Sequence, residues 1–412
     1  IGGVAKARVQ LPGPERELAA DIAFGADAPQ PLPESGLRLH GDIAVLDLAG
    51  WGGLSGGGAG ALPIDADLSL GTLVVGGRRF PEVRLAFDQT DTQHVAVLAG
   101  PAISGRVTVP RGASSLGVTA QFERLHVPEA DEGAVLAAMD PAKLPVVHFW
   151  AKDLRLGAAR LGEARIEAVP FSEGLRFDTI ETHSPNLEMR ARGEWTRRGA
   201  DERSRFEIDF TAQSLGRMLD AFGFAGMIED GQTYARLSGS WPGAPTRFSL
   251  ASIDGTLEAK IGEGRILEVE PGAGRFFGLL SLQSLPRRLS LDFSDFFESG
   301  LAFDSIEGSF ELRSGNAFTD NLVLKGPAAE IRIEGRTGLA LRDYDQRLSV
   351  RPRVGGVLPV VGALAAGPAG AAAGLVANML PLGQAARAEY KVQGSWDKPE
   401  ITLVEKQRKA EG

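Results

Sequence analysis

The sequence has no cysteine, only five histidines and three tyrosines, and no basic excess. Without cysteine there are no disulfides, no thiolate metal sites and no cysteine nucleophile. The same absence fits an oxidising compartment, where stray thiols are a hazard. His40, His94, His126, His148 and His183 are not at metal-ligand spacing, and none lies in an HExxH context. They read as ordinary strand or loop histidines. The net charge of −9 is spread in mixed signs, and no basic patch with interleaved aromatics appears, which argues against nucleic acid as the main partner. There is no GxSxG and no Walker loop. The carboxylates fall on wet faces of strands, so no isolated acid/base pair is formed. Gly272, Gly274 and Gly278 are spaced GxGxxxG rather than GxGxxG, with no βαβ unit following, and read as the entry into a packed helix. No catalytic residue, metal ligand or cofactor is implied, and the chain reads as a non-enzyme. It opens at Ile1 without a charged and then apolar leader. A piece of a longer protein, with any anchor upstream, is expected.

Helical periodicity is also scarce. Four segments carry it: Glu132 to Met139, Ser214 to Phe222, Pro271 to Leu285 and Val357 to Gln384. Ser214 is placed to cap the second, with Leu215, Met218, Leu219 and Phe222 on one face.

What is abundant is alternation. Phe206-Glu207-Ile208-Asp209-Phe210 sets apolar side chains against acidic ones, and the same period recurs in Leu289-Ser290-Leu291-Asp292-Phe293, Phe310-Glu311-Leu312-Arg313 and Ile331-Arg332-Ile333-Glu334. Period two means strands with one wet and one dry face. The 53 glycines, with Asn, Asp and Pro, separate these runs as turns require. Segments closing on Gly193-Glu194-Trp195, Gly239-Ser240-Trp241 and Gly394-Ser395-Trp396 suggest a repeating stack of strands. About 20 to 25 strands with about four short helices leave most of the dry faces uncovered by helix. The sheet therefore either folds on itself as a sandwich or curls into a trough. A trough of that many strands would run on the order of 100 Å.

The expected fold is mainly β: an elongated, curled antiparallel β-sheet enclosing a taco-like hydrophobic groove, with a few short α-helices including a C-terminal apolar helical hairpin. Expected segments are a β-groove at 1–126, a second β-groove with packing helices at 127–352, the hairpin at 353–387, a final strand at 388–404 and a charged tail at 405–412. Groove-lining candidates are Leu257, Ile261, Leu289, Leu291, Phe293, Phe310, Leu312, Ile331, Ile333, Leu348 and Val350. The basic pairs Arg197-Arg198 and Arg287-Arg288 read as solvated surface, with phosphate head groups as the alternative.

Residues 354–386 form a run of 33 without a charge. Prolines at 359, 368 and 381 divide it, and its longest proline-free piece, Ala369 to Leu380, would span about 18 Å as a helix. A bilayer core needs ~30 Å, so a hairpin turning near Gly367-Pro368 fits better than a straight span. Its apolar positions, Val357, Leu358, Val360, Val361, Leu364, Leu375, Val376, Met379 and Leu380, suit either a cap on the groove end or contact with a membrane leaflet.

The run from Arg265-Ile266-Leu267-Glu268-Val269-Glu270-Pro271 through Gly278-Leu279-Leu280 to Leu289-Ser290-Leu291-Asp292-Phe293 resembles the YhdP branch of the AsmA-like proteins in its C-terminal part. The resemblance continues through Phe303-Asp304-Ser305-Ile306-Glu307-Gly308, Thr319-Asp320-Asn321, Gly326-Pro327-Ala328-Ala329 and Tyr390 to Trp396. Upstream it takes in Leu144-Pro145, Asp153-Leu154-Arg155, Ser184-Pro185-Asn186-Leu187 and Trp241-Pro242-Gly243-Ala244-Pro245, while residues before about 115 share only the family's general style. The resemblance implies a long periplasmic envelope protein anchored in the inner membrane by an N-terminal helix. It further implies a rolled sheet that carries phospholipid between inner and outer membranes, its C-terminal end facing the outer membrane. The expected partners are phospholipid acyl chains and, through the hairpin, the outer-membrane leaflet; no protein partner is readable. The alternative is a structural or regulatory envelope protein with a packed β-core and no transported lipid.

Overall fold

The computed structural model describes residues 5–13, 16–48, 63–111, 117–128, 140–221, 228–267, 301–327, 329–353, 388–396 and 398–404. The chain divides into two compact units, Ile1–Glu202 and Arg203–Gly412.

The first unit is a single mixed sheet. Its strands are β1 (Lys6–Gln10), β2 (Ala19–Phe24), β3 (Gly36–Asp47), β4 (Ile64–Val75), β5 (Arg78–Gln89) and β6 (Gln93–Ala99). They continue as β7 (Ile103–Pro110), β8 (Val118–Val127), β9 (Val147–Leu156), β10 (Ala159–Phe171), β11 (Gly174–His183) and β12 (Glu188–Arg198). Each pairs with the next. Most pairings are antiparallel, through short turns such as Gly76-Gly77, whose positive φ values (56° and 72°) meet the demand of a two-residue hairpin for left-handed backbone.

Three pairings depart from the expected antiparallel pattern: β2–β3, β3–β4 and β8–β9 are parallel. The physical reason is connection length. A parallel neighbour requires the chain to travel back the length of a strand before re-entering, and the connections at 25–35, 48–63 and 128–146 are long enough for that. The described end of the last one, a 3-10 turn at Pro141–Lys143 capped by Asp140 (Ala142 N to Oδ1, 3.2 Å), packs against β10, β11 and β12 and buries Pro141.

The second unit has a larger antiparallel sheet and a smaller one. The larger consists of β13 (Asp201–Ala212), which begins at the unit boundary, then β15 (Thr233–Pro242), β16 (Asp254–Ile261), β19 (Ser305–Arg313) and β20 (Asn316–Lys325). β21 (Ala329–Gly338), β22 (Asp343–Pro352), β23 (Ala388–Ser395) and β24 (Lys398–Leu403) complete it. The smaller has three short strands, β14 (Ile228–Asp230), β17 (Gly264–Ile266) and β18 (Leu301–Phe303). Helix α1 (Leu215–Ala221) precedes β14 and is capped as expected, with Ser214 Oγ accepting from the Arg217 amide at 3.3 Å. The other segments with helical periodicity, at 132–139, 271–285 and 357–384, lie outside the described residues, as does Phe222.

One face of each sheet is charged and laced with ion pairs, including Arg84–Asp67, Arg236–Asp209 and Arg336–Asp343. Arg336 grips Asp343 with two bonds (2.8 and 2.7 Å) and donates a third to Asn316. The guanidinium's hydrogen bond holds the Asp343 carboxyl below its ordinary value. A depressed carboxylate contributes stability above its unfolded pKa of about 3.9 and loses it as pH falls through the lower folded value. Asp343→Asn is therefore expected to cost roughly 0.5–1 kcal/mol in urea denaturation at neutral pH, with the difference from wild type closing under acid. Gly105 faces Phe122 at a register shift, where an added Cβ would lie 2.5 Å from the ring and 2.3 Å from the Gln121 carbonyl. Gly105→Ala should cost about 1–3 kcal/mol as an overpacking change, read by the same denaturation curves.

Candidate functional site: the apolar face

Strand register places one residue from each of β1 to β12 on a single transverse line. In order these are Ala7, Ile22, Leu39, Ala66, Phe87, Ala96, then Val107, Ala120, Phe149, Ile166, Ile180 and Ala191. All are apolar. Neighbouring strands lie about 4.8 Å apart, so the line runs on the order of 50 Å across the first unit. A parallel line starts at Phe24 and Gly41 and passes through Leu68, Leu85, Leu98, Gly105, Phe122, Ala151 and Ala164 before reaching Thr182 and Met189.

Burial along the first line is unusual for a sheet core. Leu39 and Ala66 are buried, but Ile22, Phe87, Val107, Phe149, Ile166 and Ile180 all keep part of their surface accessible. Residues on the inner faces of a closed sandwich interdigitate and lose that surface. An apolar strip that keeps part of its surface accessible along most of its length is a candidate binding surface.

The second unit carries the same pattern. Ile208, Leu237, Leu257 and Phe310 form one line. Ile261, Ile306, Leu324, Ile331 and Val350 form another, and Leu322, Ile333, Leu348 and Tyr390 a third. Leu312 lies opposite Gly255 and Ala317 on the same face. Thus Leu257, Ile261, Phe310, Leu312, Ile331, Ile333, Leu348 and Val350 come together on one face. Leu257 and Phe310 are partly accessible, whereas Leu312, Ile331, Ile333 and Leu348 are buried. Leu289, Leu291 and Phe293 lie outside the described residues, as do Val357, Leu358, Val360, Val361, Leu364, Leu375, Val376, Met379 and Leu380. The strip of the first unit escaped the sequence reading. Its signal was present in Arg84-Leu85-Ala86-Phe87-Asp88, but many of its members are alanine or glycine, which carry little hydrophobic contrast.

The face offers little polar chemistry. His94 stacks on Phe87 (centroids 6.0 Å apart), and burial, with the Arg111 charge as a lesser cause, lowers its pKa. The other four histidines meet carboxylates on the charged face: His40 with Asp21 (3.0 Å), His126 with Asp153 (2.7 Å), His148 with Glu167 (2.5 Å) and His183 with Glu188 (3.3 Å). Among the described residues no group of three acidic or histidine side chains could hold a metal ion, and no helix is long and apolar enough to cross a membrane.

The family described as YhdP protein matches residues 5–401. The intermembrane phospholipid transporter YhdP of Escherichia coli (strain K12) is 29% identical over 227 residues, which cover 54% of this chain and 18% of that protein. The chain therefore spans under a fifth of that relative's length in the matched part. No solved structure matches. With a match that runs almost the length of the chain, through both units, the chain belongs to the YhdP family.

Proposed function

We propose that this chain is a stretch of a non-enzymatic phospholipid conduit: its apolar face carries acyl chains within a groove formed by the curled sheet, and head groups ride along the open seam. The observation that carries this reading is the unbroken apolar line from Ala7 to Ala191, one residue per strand and partly accessible along most of its length. Exposing acyl methylenes to water costs ~0.8 kcal/mol each, so a two-chain lipid crossing an aqueous gap faces ~20 kcal/mol or more. A continuous dry surface removes most of that barrier. Transport also requires that no position hold the lipid tightly, and a strip of Ala, Val, Ile and Phe offers many shallow, near-equal sites. The relative's name as an intermembrane phospholipid transporter supports the substrate class.

In this reading the chain works in the periplasm, between the inner and outer membranes, in a protein held at the inner membrane by an N-terminal helix. Its C-terminal end faces the outer membrane, and the uncharged residues 354–386 touch that leaflet as a helical hairpin. A second reading, a structural envelope protein with a packed core, draws on the buried cluster of the second unit around Ile331, Ile333 and Phe303.

Paired charges on the strip separate the two. Phe149→Asp with Val107→Asp should abolish fluorescent phospholipid transfer between donor and acceptor vesicles, while the β-signal in circular dichroism persists. Loss of that β-signal would favour the packed core. Deleting 357–382 should weaken liposome flotation several-fold with the β-signal retained; undiminished flotation would reduce the segment to a structural cap.

A further inference from the structure

The smaller sheet of the second unit is the larger one folded over. Its strands continue directly from those of the larger sheet: β14 runs through Gly231-Gln232 into β15, β16 through Gly262-Glu263 into β17, and β18 through Asp304 into β19. The order is kept, with β14–β17–β18 repeating β15–β16–β19. Pairing persists through the bend, where the Gly262 amide donates to the Gln232 carbonyl (2.8 Å) and the Gly231 amide to Glu263 (3.0 Å). Gly231 takes a φ of +83°, open to glycine at little cost. A crease of one or two residues per strand therefore crosses the ribbon.

The folded part is itself two-faced. Glu229 and Arg265 pair on its exposed side (3.7 Å), while Ile228, Ile266 and Leu301 line up on the other. That inner line, with Phe303, belongs to one buried cluster with Ile331, Ile333, Leu348 and Tyr390 of the larger sheet. Burial raises the Tyr390 hydroxyl pKa. Leu215 of α1 joins the same cluster, and its amide bonds the Gly231 carbonyl at the crease (2.7 Å).

We infer that the folded-over ribbon β14–β17–β18 is a gate, which covers the apolar face of β20–β23 and lifts about the crease when an acyl chain takes its place. The inference rests on the conduit reading. Its physical basis is substitution: Ile228, Ile266, Leu301 and Phe303 offer the sheet the same apolar contact that acyl methylenes offer. An acyl chain that slides between the ribbon and the sheet is covered by both, so the ribbon's apolar line stays out of water as it lifts and no other energy source is needed. The crease confines the change in backbone angle to one or two residues per strand, Gly231 and Gly262 among them.

The test uses p-benzoylphenylalanine in place of Phe149 or of Tyr390, with vesicles of phosphatidylethanolamine and phosphatidylglycerol. Lipid should crosslink at both positions, more slowly at Tyr390. Phe303→Ala, which loosens the ribbon, should raise the Tyr390 rate about tenfold. Gly262→Ala should lower it by stiffening the crease; a Cβ there meets nothing closer than the Gln232 carbonyl at 3.6 Å, so folding is spared. Neither variant should alter the Phe149 rate. In the unsubstituted protein, the same vesicles should speed amide exchange at 228–230, 264–266 and 301–303 while β20–β22 stay protected. Crosslinking at Phe149 with none at Tyr390, or with Tyr390 rates equal in all variants, overturns the gate and leaves the conduit intact. Exchange unchanged by lipid also overturns it. No crosslinking at either position overturns the conduit reading, and the gate with it.

Discussion

Backbone pairing in a fixed register is the constraint on which everything else depends. A strand alternates its side chains with period two, so a slip of one residue would turn every apolar side chain to the charged face. Across β1 to β12 the register holds through antiparallel turns, through three parallel joins and through several register shifts, and the apolar line survives each of them. Where a bulge intervenes, as between Glu167 and Ala168 opposite β11, it adjusts the pairing so that Ile166 still meets Ile180. The charged face is the other half of the same constraint. Its arginine–carboxylate pairs contribute little stability one by one, but they keep that face wet and leave a single side for apolar ligands.

The two units use this face differently. In the first, most of the line stays partly accessible. In the second, a comparable face is sealed where the ribbon and α1 lie on it, and is partly accessible at Ile208, Leu257 and Phe310. One sequence pattern thus serves as an accessible lining in one place and as a closed core in another, and the difference comes from a few residues. Gly231, Gly262 and Asp304 let three strands bend together, and the bent piece supplies the missing layer.

Much of this was legible in the sequence, and the physics explains which parts. Strong alternation of large apolar and charged residues, as in Phe310 to Arg313 or Ile331 to Glu334, identified strands and their dry faces correctly. Gly-x-Trp signals marked strand ends, where the indoles of Trp241 and Trp396 bond the carbonyls of Ala244 and Asp343. The short helix after Ser214 was visible from its cap. Three things were not. Parallel joins depend on the path of long connections, which leave no periodic trace. The strip of the first unit is diluted by Ala96, Ala120 and Ala191, whose small side chains carry little contrast. The folded ribbon consists of three-residue strands, too short for any period to register, and its logic appears only when their order is set beside that of β15, β16 and β19.

The central claim is that lipid occupies this face. Purifying the chain from a Gram-negative host and weighing it intact by native mass spectrometry, with extraction to identify bound lipid, tests it most directly. The account predicts several phospholipids per chain, lost when charges are placed at Phe149 and Val107. A folded protein that carries no phospholipid, before or after incubation with vesicles, would contradict it.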